Sequence, residues 1–402
     1  MKKDSILSIN KMHCTGCGAC AKKCPKKCIS MKPDKEGFLV PSIDADQCIN
    51  CGICMQTCPV ALQEDKLFYF DKREYFCSII GDKEILIKSS SGGMFGLLAD
   101  HFIKNGGYVC GCVYNEKVEA THILTNKKED IARMYGSKYV QSRAYECFEP
   151  IKTLMREGSK VLFVGTACQI AGLRNYLGKE YQELFCVEIL CHGVPSPKLF
   201  SDYVEYLEKK LGGKILDVQF RNKEKRGWGS EHRTCVIYEK KGKIKTYRPV
   251  LPAYFSAFFY GMNLRESCYN CRFARLERVA DLTIGDFWGA WAKYQKRFEE
   301  GISVVGINSP KGRDILNSIK DKFAFYDLLT EAEAIKSNDN FEHPVKRPLE
   351  RSSFYEYTTK KGYKGLWKKA YFTHTYRKKT LASIYGVLVP AKIRFALHRK
   401  KK

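Results

Sequence analysis

The chain has 402 residues, a formal net charge of +25 at pH 7 and 19 cysteines. Its hydrophobic content of 44% provides a sizeable core for two or three domains and excludes a largely disordered protein. An odd cysteine count argues against a secreted, disulfide-bonded protein and predicts a reducing, cytoplasmic setting. The N-terminus lacks an apolar stretch, so we expect no signal peptide, and no apolar run approaches the roughly 18 residues of a membrane span.

A cysteine pattern, C-x2-C-x2-C-x3-C-P, occurs twice within residues 14–59. At this spacing three cysteines of each run bind one [4Fe-4S] cluster, and the cysteine before proline binds the other cluster. Zinc knuckles are the alternative, but they favour two C-x2-C pairs with a longer gap. Residues 10–62 resemble the bacterial two-cluster ferredoxins. The predicted ligands are Cys14, Cys17, Cys20 and Cys58 for the first cluster, and Cys48, Cys51, Cys54 and Cys24 for the second.

The remaining residues of this N-terminal part form simple elements. We predict a short strand within residues 1–9 and a hairpin over residues 29–43 with its turn at residues 34–37. Cys28 lies outside the motif, and we expect it to be a buried or spare thiol. Residues 63–84 are charged and mixed, which predicts a linker, and residues 85–88 are predicted to be the first strand of a second domain.

Units of strand, turn and helix then repeat along the chain. Ser and Gly at residues 89–93 separate the first predicted strand from an apolar-periodic helix, and such a turn could attract phosphate. Residues 161–165 and 184–190 are two further strands, each followed by a loop and a helix. This alternation predicts an α/β domain whose functional loops lie at the carboxyl ends of its strands, where Cys168 and Cys191 occur.

Residues 214–250 have the pattern of a three-stranded meander. The basic loop at residues 221–229 contains Trp228 and either contacts an anionic ligand or is a mobile solvated loop. Farther along, Cys268-x2-Cys271 can supply two ligands to a metal or cluster, with Cys168 and Cys191 as the available partners. A buried dithiol or a redox pair is the alternative.

Six motifs of this second part occur in an order that carries a family resemblance. They are residues 90–93 (SSGG), 136–142 (GSKYVQS), 165–169 (GTACQ), 191–193 (CHG), 268–271 (CYNC) and 280–289 (ADLTIGDFWG). With them, residues 10–310 resemble the coenzyme F420 hydrogenase/dehydrogenase beta-subunit family, fused behind a two-cluster ferredoxin. In that family the beta subunit holds FAD and one [4Fe-4S] cluster and passes electrons between clusters and a deazaflavin.

The resemblance implies specific roles for residues of this chain. A third [4Fe-4S] cluster would be bound by Cys168, Cys191, Cys268 and Cys271. FAD would contact Ser91, Gly92, Gly93, Ser137, Lys138, Tyr139, Gly165, Thr166 and Gln169. Lys138 and backbone N–H groups would hold the pyrophosphate. His192 either tunes the third cluster or relays a proton, and a packed histidine is the alternative. Ala167 stands where the family has proline.

Together these patterns predict an α+β two-cluster module at residues 1–62, a linker at 63–84 and an α/β flavin-binding domain at 85–320. This domain would have a mainly parallel sheet and a β meander. A basic extension follows at 321–402, and residues 357–402 hold 14 Lys or Arg and no acidic residue. Apolar residues at helical spacing near its end predict an interfacial helix on an anionic membrane, or a surface for an acidic partner. A solvated helix is the alternative, and nucleic-acid binding ranks third because no recognition fold accompanies the charge.

The predicted function is an iron–sulfur flavoprotein oxidoreductase. It would pass electrons between a ferredoxin-like donor, [4Fe-4S] clusters and FAD, to or from an organic substrate for which F420 is one candidate. Similar fusions occur in bacteria that lack the deazaflavin, often beside genes for surface polysaccharide synthesis. The alternatives are therefore a non-catalytic electron-transfer subunit that docks to an enzyme, and a partner in surface polysaccharide biosynthesis. We expect a cytoplasmic protein that can lie peripherally at the inner membrane surface.

Overall fold

A computed structural model describes residues 5–10, 12–62, 67–69, 73–224, 227–228, 234–249, 253–336 and 338–363. The predicted interfacial helix and residues 364–402 of the basic extension lie outside these residues. The strands are β1 (Ile29–Pro33), β2 (Leu39–Ile43), β3 (Glu74–Ile80), β4 (Tyr108–Tyr114), β5 (Ala120–Thr125), β6 (Val161–Thr166), β7 (Leu184–Ile189), β8 (Lys214–Gln219), β9 (Cys235–Lys240), β10 (Lys243–Tyr247), β11 (Leu282–Asp286), β12 (Ser303–Ile307) and β13 (Phe323–Leu329). The helices are α1 (Ala19–Lys23), α2 (Ile53–Thr57), α3 (Lys83–Lys88), α4 (Met94–Lys104), α5 (Lys128–Met134), α6 (Phe148–Arg156), α7 (Ala167–Leu177), α8 (Pro197–Leu211), α9 (Ala253–Phe259), α10 (Pro310–Ile319), α11 (Glu331–Ile335) and α12 (Arg351–Lys361).

The large sheet has eight strands in the order β13-β3-β12-β11-β7-β6-β4-β5. Strands β11, β7, β6 and β4 are parallel neighbours, whereas β12 is antiparallel to both β11 and β3. Five strands therefore run in one direction, and β5, β12 and β13 run in the other. The expectation of a mainly parallel sheet is confirmed for the centre, while the whole sheet is mixed. The carboxyl ends of β3, β6, β7 and β11 lie at one edge, where functional loops are expected.

Both faces of this sheet are covered by helices. Along β6, Val161 and Phe163 pack with α6 and α7 on one face, while Leu162 and Val164 pack with α4 on the other. This alternation follows from the two-residue repeat of a strand, and apolar residues at every position are typical of a strand buried on both faces. The predicted meander forms a separate antiparallel sheet of β8, β9 and β10, which packs with α8, α9 and α12.

The structure differs from the predicted elements at four places. Residues 85–88 form the end of helix α3 instead of a strand, because the Asp82 carboxylate caps the helix by accepting a hydrogen bond from the Ile85 amide. The sheet strand is β3, which lies in the stretch predicted as a linker, and β13 adds an edge strand in the predicted extension. Near the N-terminus, Ile6–Ser8 forms a 3-10 turn where a strand was predicted.

Candidate metal centres and flavin-binding turns

The two cysteine runs have the same local structure. Gly18 and Gly52 have positive φ angles of 74° and 73°, and each begins a five-residue helix. Cys24 and Cys58 follow these helices with similar extended backbone angles. A side chain at Gly18 would overlap the Tyr145 ring, so both the backbone angle and the neighbour require glycine there. The last cysteine of each run is thereby directed away from its own run.

The first cysteine group consists of Cys14, Cys17, Cys20 and Cys58, which line one cavity. Most of the remaining lining is apolar and includes Ile6, Ile9, Met31, Val40, Pro41 and Val60. The cavity unites three cysteines of the first run with the last cysteine of the second, as the spacing predicts. Apolar surroundings limit the access of water, which is one of the features that set the potential of an iron–sulfur cluster.

The second cysteine group consists of Cys24, Cys48, Cys51 and Cys54, which line another cavity. Of these four residues, Cys51 is exposed. Cys28 also lines this cavity, and its Sγ lies 3.4 Å from the Sγ of Cys24. The structure therefore buries Cys28, as expected, and also brings it into direct contact with a predicted ligand.

Burial disfavours the thiolate form of several thiols in these two groups. Burial raises the pKa of Cys17, and the neighbouring Cys58 raises it further. Burial also raises the pKa of Cys20, and burial together with the hydrogen bond to Cys24 raises the pKa of Cys28 to about 11. Metal ligation requires the thiolate, and a bound metal supplies the positive charge that stabilises it. The chemistry of both groups therefore fits a cationic iron–sulfur core.

The sulfurs in each group surround a cavity and do not converge on a single point. Within the described ranges, no three His, Cys, Asp or Glu side chains are arranged to hold a single metal ion. A zinc ion needs its sulfur ligands at about 2.3 Å. A [4Fe-4S] cluster instead takes one cysteine at each of four separate iron atoms. Cysteines spread around a shared cavity match this second requirement.

The third cysteine group consists of Cys168, Cys191, Cys268 and Cys271, which line one cavity at the carboxyl ends of β6 and β7. Burial raises the pKa of Cys268 to about 12 and that of Cys271 to about 11, and neighbouring thiols add to both shifts. Four residues that are distant in sequence are thus brought together, as the resemblance implies. Their chemistry fits a third cluster by the same reasoning as for the first two groups.

The first and third groups are neighbours, because Thr15 lines both cavities. Arg265 holds the intervening loop: its Nε donates to the Cys14 carbonyl at 2.7 Å, and its Nη1 donates to the Leu39 carbonyl at 3.0 Å. Gln141 contributes a bond of 3.0 Å to the Thr15 carbonyl. Since Arg265 is buried, this contact fixes the N-terminal module against the large domain.

Helix α7 makes a second close contact with the first group. A Cβ atom placed on Gly172 would lie 3.0 Å from the Cβ and 3.1 Å from the Sγ of Cys17. A larger residue at position 172 would therefore crowd Cys17, and glycine favours the close approach of the helix that begins beside Cys168. Arg272, which directly follows Cys271, donates to the carbonyls of residues 59, 60 and 62. Both contacts join the first group to segments that carry cysteines of the third group.

His192 lies beside the third group, where the sequence left its role open. It lines the cavity, its Nδ1 lies 3.3 Å from the Asn340 Oδ1, and its ring packs at 5.2 Å from the Phe258 ring. Burial lowers its pKa. The contacts describe a packed histidine at the cavity wall. Glu188 and Arg278 form a buried ion pair of 2.9 Å in the same lining, a feature that sequence reasoning missed.

The first predicted flavin turn, Ser91, Gly92 and Gly93, lies beside the amino end of β12. The Ser91 hydroxyl donates to the Ile302 carbonyl at 2.8 Å, and the Gly92 amide donates to the Ser303 Oγ at 3.0 Å. A Cβ on Gly92 would lie 2.2 Å from the Ser78 carbonyl oxygen. The glycine is thus required by the approach of two strands, and its amide already has a partner.

The second predicted turn contacts the first one. The Ser137 amide donates to the Ser90 hydroxyl at 2.8 Å. The Lys138 ammonium donates to the carbonyls of Arg133 and Tyr135 at 2.9 and 2.8 Å. In this structure, therefore, Lys138 stabilises its own loop and is already engaged at the position from which it was predicted to hold a pyrophosphate. Tyr139 packs among three rings, those of Phe220, Phe255 and Phe258.

The third predicted turn, Gly165 to Gln169, begins helix α7. Thr166 and Gln169 form a capping box, in which the Thr166 amide donates to the Gln169 Oε1 at 3.0 Å. The Gln169 Nε2 donates to the Ser142 hydroxyl at 3.0 Å, and the Thr166 hydroxyl lies 3.2 Å from the Cys168 Sγ. The turn thus connects the predicted flavin region to the third cysteine group.

In the described part of the basic loop after β8, residues 221–224 and 227–228, the Arg221, Lys223 and Trp228 side chains are packed, in contrast to the solvated alternative. Arg221 forms an ion pair of 3.3 Å with Asp286 at the end of β11. Its guanidinium lies over the Trp228 and Trp288 rings at 5.5 and 4.9 Å. The buried Trp228 donates its Nε1 proton to Asp286 at 3.1 Å. The motif at 280–289 could have suggested Asp286, but its partner in the distant loop could not be read from spacing.

Lys223 is the basic residue that lies at the first flavin turn. Its ammonium donates to the Ser91 carbonyl at 2.7 Å and to the Glu300 carbonyl at 2.9 Å. The side chain is 3% exposed, and burial lowers its pKa to about 7. Sequence reasoning missed this residue because it belongs to a run of charged residues that is typical of a surface loop.

Comparisons with known proteins support the class that these sites define, an iron–sulfur electron-transfer protein. The 4Fe-4S dicluster domain matches residues 13–62. The C terminus of the coenzyme F420 hydrogenase/dehydrogenase beta subunit matches residues 158–327. Residues 13–62 are therefore similar to a dicluster domain and residues 158–327 to the F420 hydrogenase/dehydrogenase beta subunit, which confirms the resemblance seen in the motifs.

A solved structure of the F420-reducing [NiFe] hydrogenase complex from Methanosarcina barkeri, derivatised with xenon, is also similar. The match covers 78% of this chain and 96% of that chain, with 18% sequence identity and a TM-score of 0.41. No curated protein matches the chain. Over the residues described above, no helix has the length and apolar character needed to cross a membrane.

Proposed function

We propose that the chain is an iron–sulfur flavoprotein oxidoreductase. The observation that carries the proposal is the presence of three cavities in one chain, each lined by four predicted cysteine ligands, with Thr15 shared between the first and the third. [4Fe-4S] clusters supply one-electron transfer, and FAD supplies the pairing of two electrons into a hydride. The reaction would transfer electrons between a ferredoxin-like donor and an organic substrate, with F420 as one candidate.

The chain's own residues hold this arrangement together. Arg265 and Gln141 fix the loop of the first group beside the third cavity. The capping box of Thr166 and Gln169 connects the third group to the predicted flavin turns. The residues that would hold FAD are Ser91, Gly92, Gly93, Ser137, Lys138, Tyr139, Gly165, Thr166 and Gln169, and the contacts of Lys223 with the Ser91 turn add a buried cation beside them.

The test is an anaerobic preparation of the full chain, followed by release and identification of its flavin. We expect about one FAD per chain, together with visible absorbance that bleaches when a reduced ferredoxin is added. Replacing Lys223 by Met should reduce the flavin content, whereas iron should stay unchanged. A wild-type chain with full iron and no flavin would contradict the enzyme proposal.

A second candidate is a non-catalytic electron-transfer subunit. One observation favours it: three predicted flavin contacts already form hydrogen bonds within the protein. They are the Gly92 backbone amide, the Lys138 ammonium and the Gln169 side-chain amide. This protein would contain the clusters, lack flavin and require a partner enzyme for any substrate turnover. The flavin measurement therefore distinguishes the two candidates. A role as a partner in polysaccharide biosynthesis is compatible with either candidate, and co-purification with a glycan-modifying enzyme would support it.

We also propose that the basic extension lets a cytoplasmic protein bind an anionic membrane surface. The charge of residues 357–402 supports this location, since clustered Lys and Arg are attracted to anionic lipid. Flotation of the full chain with vesicles of anionic or of neutral lipid tests it. Binding to both kinds of vesicle, or to neither, would contradict an electrostatic attachment.

A further inference from the structure

The second cysteine group contains one thiol more than a [4Fe-4S] cluster requires. Cys28 lines the same cavity as the four predicted ligands, and its side chain is 7% exposed. Its Sγ lies 3.4 Å from the Sγ of Cys24, within the range of a hydrogen bond to sulfur. Five sulfurs therefore surround this cavity, and the additional one contacts the predicted ligand Cys24.

The first group has leucine at the matching position. The amide of Lys27 donates to the Cys24 carbonyl at 3.1 Å, and the amide of Ala61 donates to the Cys58 carbonyl at 3.0 Å, so both runs end in the same turn. The next residue after this turn is Cys28 in the run that ends at Cys24, and Leu62 in the run that ends at Cys58. Leu62 packs against the core of the large domain. The difference lies at equivalent places of a repeated structure.

A buried thiol keeps its proton, because an apolar setting disfavours the thiolate. An S–H group beside a thiolate ligand donates a hydrogen bond to it. Such a bond stabilises negative charge on the ligand sulfur, and reduction adds one electron and hence one negative charge to the cluster. The reduced state therefore gains more from the bond than the oxidised state, and no proton needs to move. Hydrogen bonds to the sulfurs are among the features that set cluster potentials.

We propose that Cys28 donates a hydrogen bond to the ligand Cys24 and thereby raises the reduction potential of the cluster in the second group. This inference rests on the proposed function, since it requires a cluster held by these cysteines. Cys28 would be a positioning residue for the potential and not a fifth ligand. The two halves of the N-terminal module would then differ in potential despite their shared motif.

The experiment compares the wild-type chain with Cys28→Ala, Cys28→Ser and the matched variant Leu62→Ala, all prepared anaerobically at full length. Iron per chain is measured first, and the cluster potentials follow from redox titration monitored by electron paramagnetic resonance. Cys28→Ala should shift the reduction equilibrium of one cluster toward the oxidised form by up to about tenfold, which corresponds to 59 mV for one electron. Cys28→Ser, which keeps a donor, should stay close to the wild type, and Leu62→Ala should leave that cluster unchanged.

Two results would overturn the inference. Unchanged potentials in Cys28→Ala, with full iron, would show that the thiol does not tune the cluster. Loss of about four iron atoms in the same variant would show that Cys28 is itself a ligand. Absence of iron–sulfur clusters from the wild type would instead contradict the proposed function, so the two failures are distinguishable.

Discussion

The two halves of the N-terminal module share a motif and a local backbone structure, yet their surroundings differ. The first group is held against the large domain by Arg265 and lies under Gly172 of α7. In the second group, Cys51 is exposed and Ile49 is 58% exposed. The motif thus determines which cysteines share a cavity. The surroundings determine which group connects to the large domain and which is exposed at the surface.

This difference in exposure suggests an order in which electrons would pass the cysteine groups. Electrons from an external carrier would enter at the second group and continue through the first group to the third, since Thr15 lines the cavities of the last two. Lys26 and Lys27 are exposed beside the second group and would attract an acidic carrier protein. Under this proposal, the same repeat would serve as both the docking end and the internal end of one module.

The largest expected effect comes from removing one ligand from each half. Cys17→Ala and Cys51→Ala should each lower iron from about 12 to about 8 per chain, because each removes one corner of one cluster. Cys17→Ala should also lower the melting temperature more, since Cys17 packs beneath α7. Iron analysis and calorimetry measure the two effects. Equal melting temperatures of Cys17→Ala and Cys51→Ala would contradict the proposal that the first group is packed more tightly than the second.

The next effect concerns the Arg265 contact that distinguishes the first half. Arg265→Met leaves the Cys14 and Leu39 carbonyls without their donor. We expect the free energy of unfolding to fall by about 3 to 5 kcal/mol, because buried polar groups lose charged hydrogen bonds. Arg265→Lys should keep only part of the wild-type stability, since an ammonium lacks the planar, multi-donor geometry of a guanidinium. Chemical denaturation measures the change, with the exposed Lys27→Met as the control. An unchanged free energy of unfolding in Arg265→Met would refute the anchoring role.

Because Lys223 is buried, unlike most lysines, we expect the stability of the protein to depend on pH. The folded-state pKa of Lys223 is about 7, below the ordinary lysine value. Between about pH 7 and 10 the unfolded chain therefore keeps a proton that the folded chain has released, and the stability rises with pH. Relative to Lys223→Met, the free energy of unfolding of the wild type should increase by up to about 1.4 kcal/mol per pH unit. Denaturation at pH 7, 8 and 9 tests this. If the free energy of unfolding changed equally with pH in the wild type and in Lys223→Met, the prediction would be contradicted.

The smallest effect concerns the exposed end of the module. Lys26→Glu combined with Lys27→Glu should slow reduction by an acidic ferredoxin several-fold at low salt, because like charges repel during encounter. The effect should fade as ionic strength rises. Lys241→Glu with Lys243→Glu, on the exposed β9–β10 turn, provides a control of equal charge. If both double variants slowed reduction equally, the carrier would not dock at the second group.

The first two cysteine groups could be predicted because ligand spacing depends on short-range geometry that the chain shows directly. The same holds for the meander and for the strands that precede Cys168 and Cys191. The third group, which joins distant segments, was instead implied as a set by the family resemblance. Helix α3 was missed because a short apolar run fits both helix and strand, and only the Asp82 cap decides between them. Strand β13 was missed because its role depends on pairing with distant β3.

Contacts between distant segments were beyond sequence reasoning. Lys223 occurs in a charged run that suggests a solvated loop, but folding buries it against Ser91. Lys138 lies in a family motif that suggests a phosphate contact, but its ammonium donates to the carbonyls of Arg133 and Tyr135 at the end of α5. In both cases the residue type was visible, while its partner was set by tertiary packing.

The most direct test of the account is the content of iron and acid-labile sulfide in the anaerobically prepared full chain and in Cys268→Ala. The account predicts about 12 iron atoms per wild-type chain and about 8 in the variant, because the third group should lose its cluster alone. A value of about 8 for both proteins would contradict a cluster in the third group.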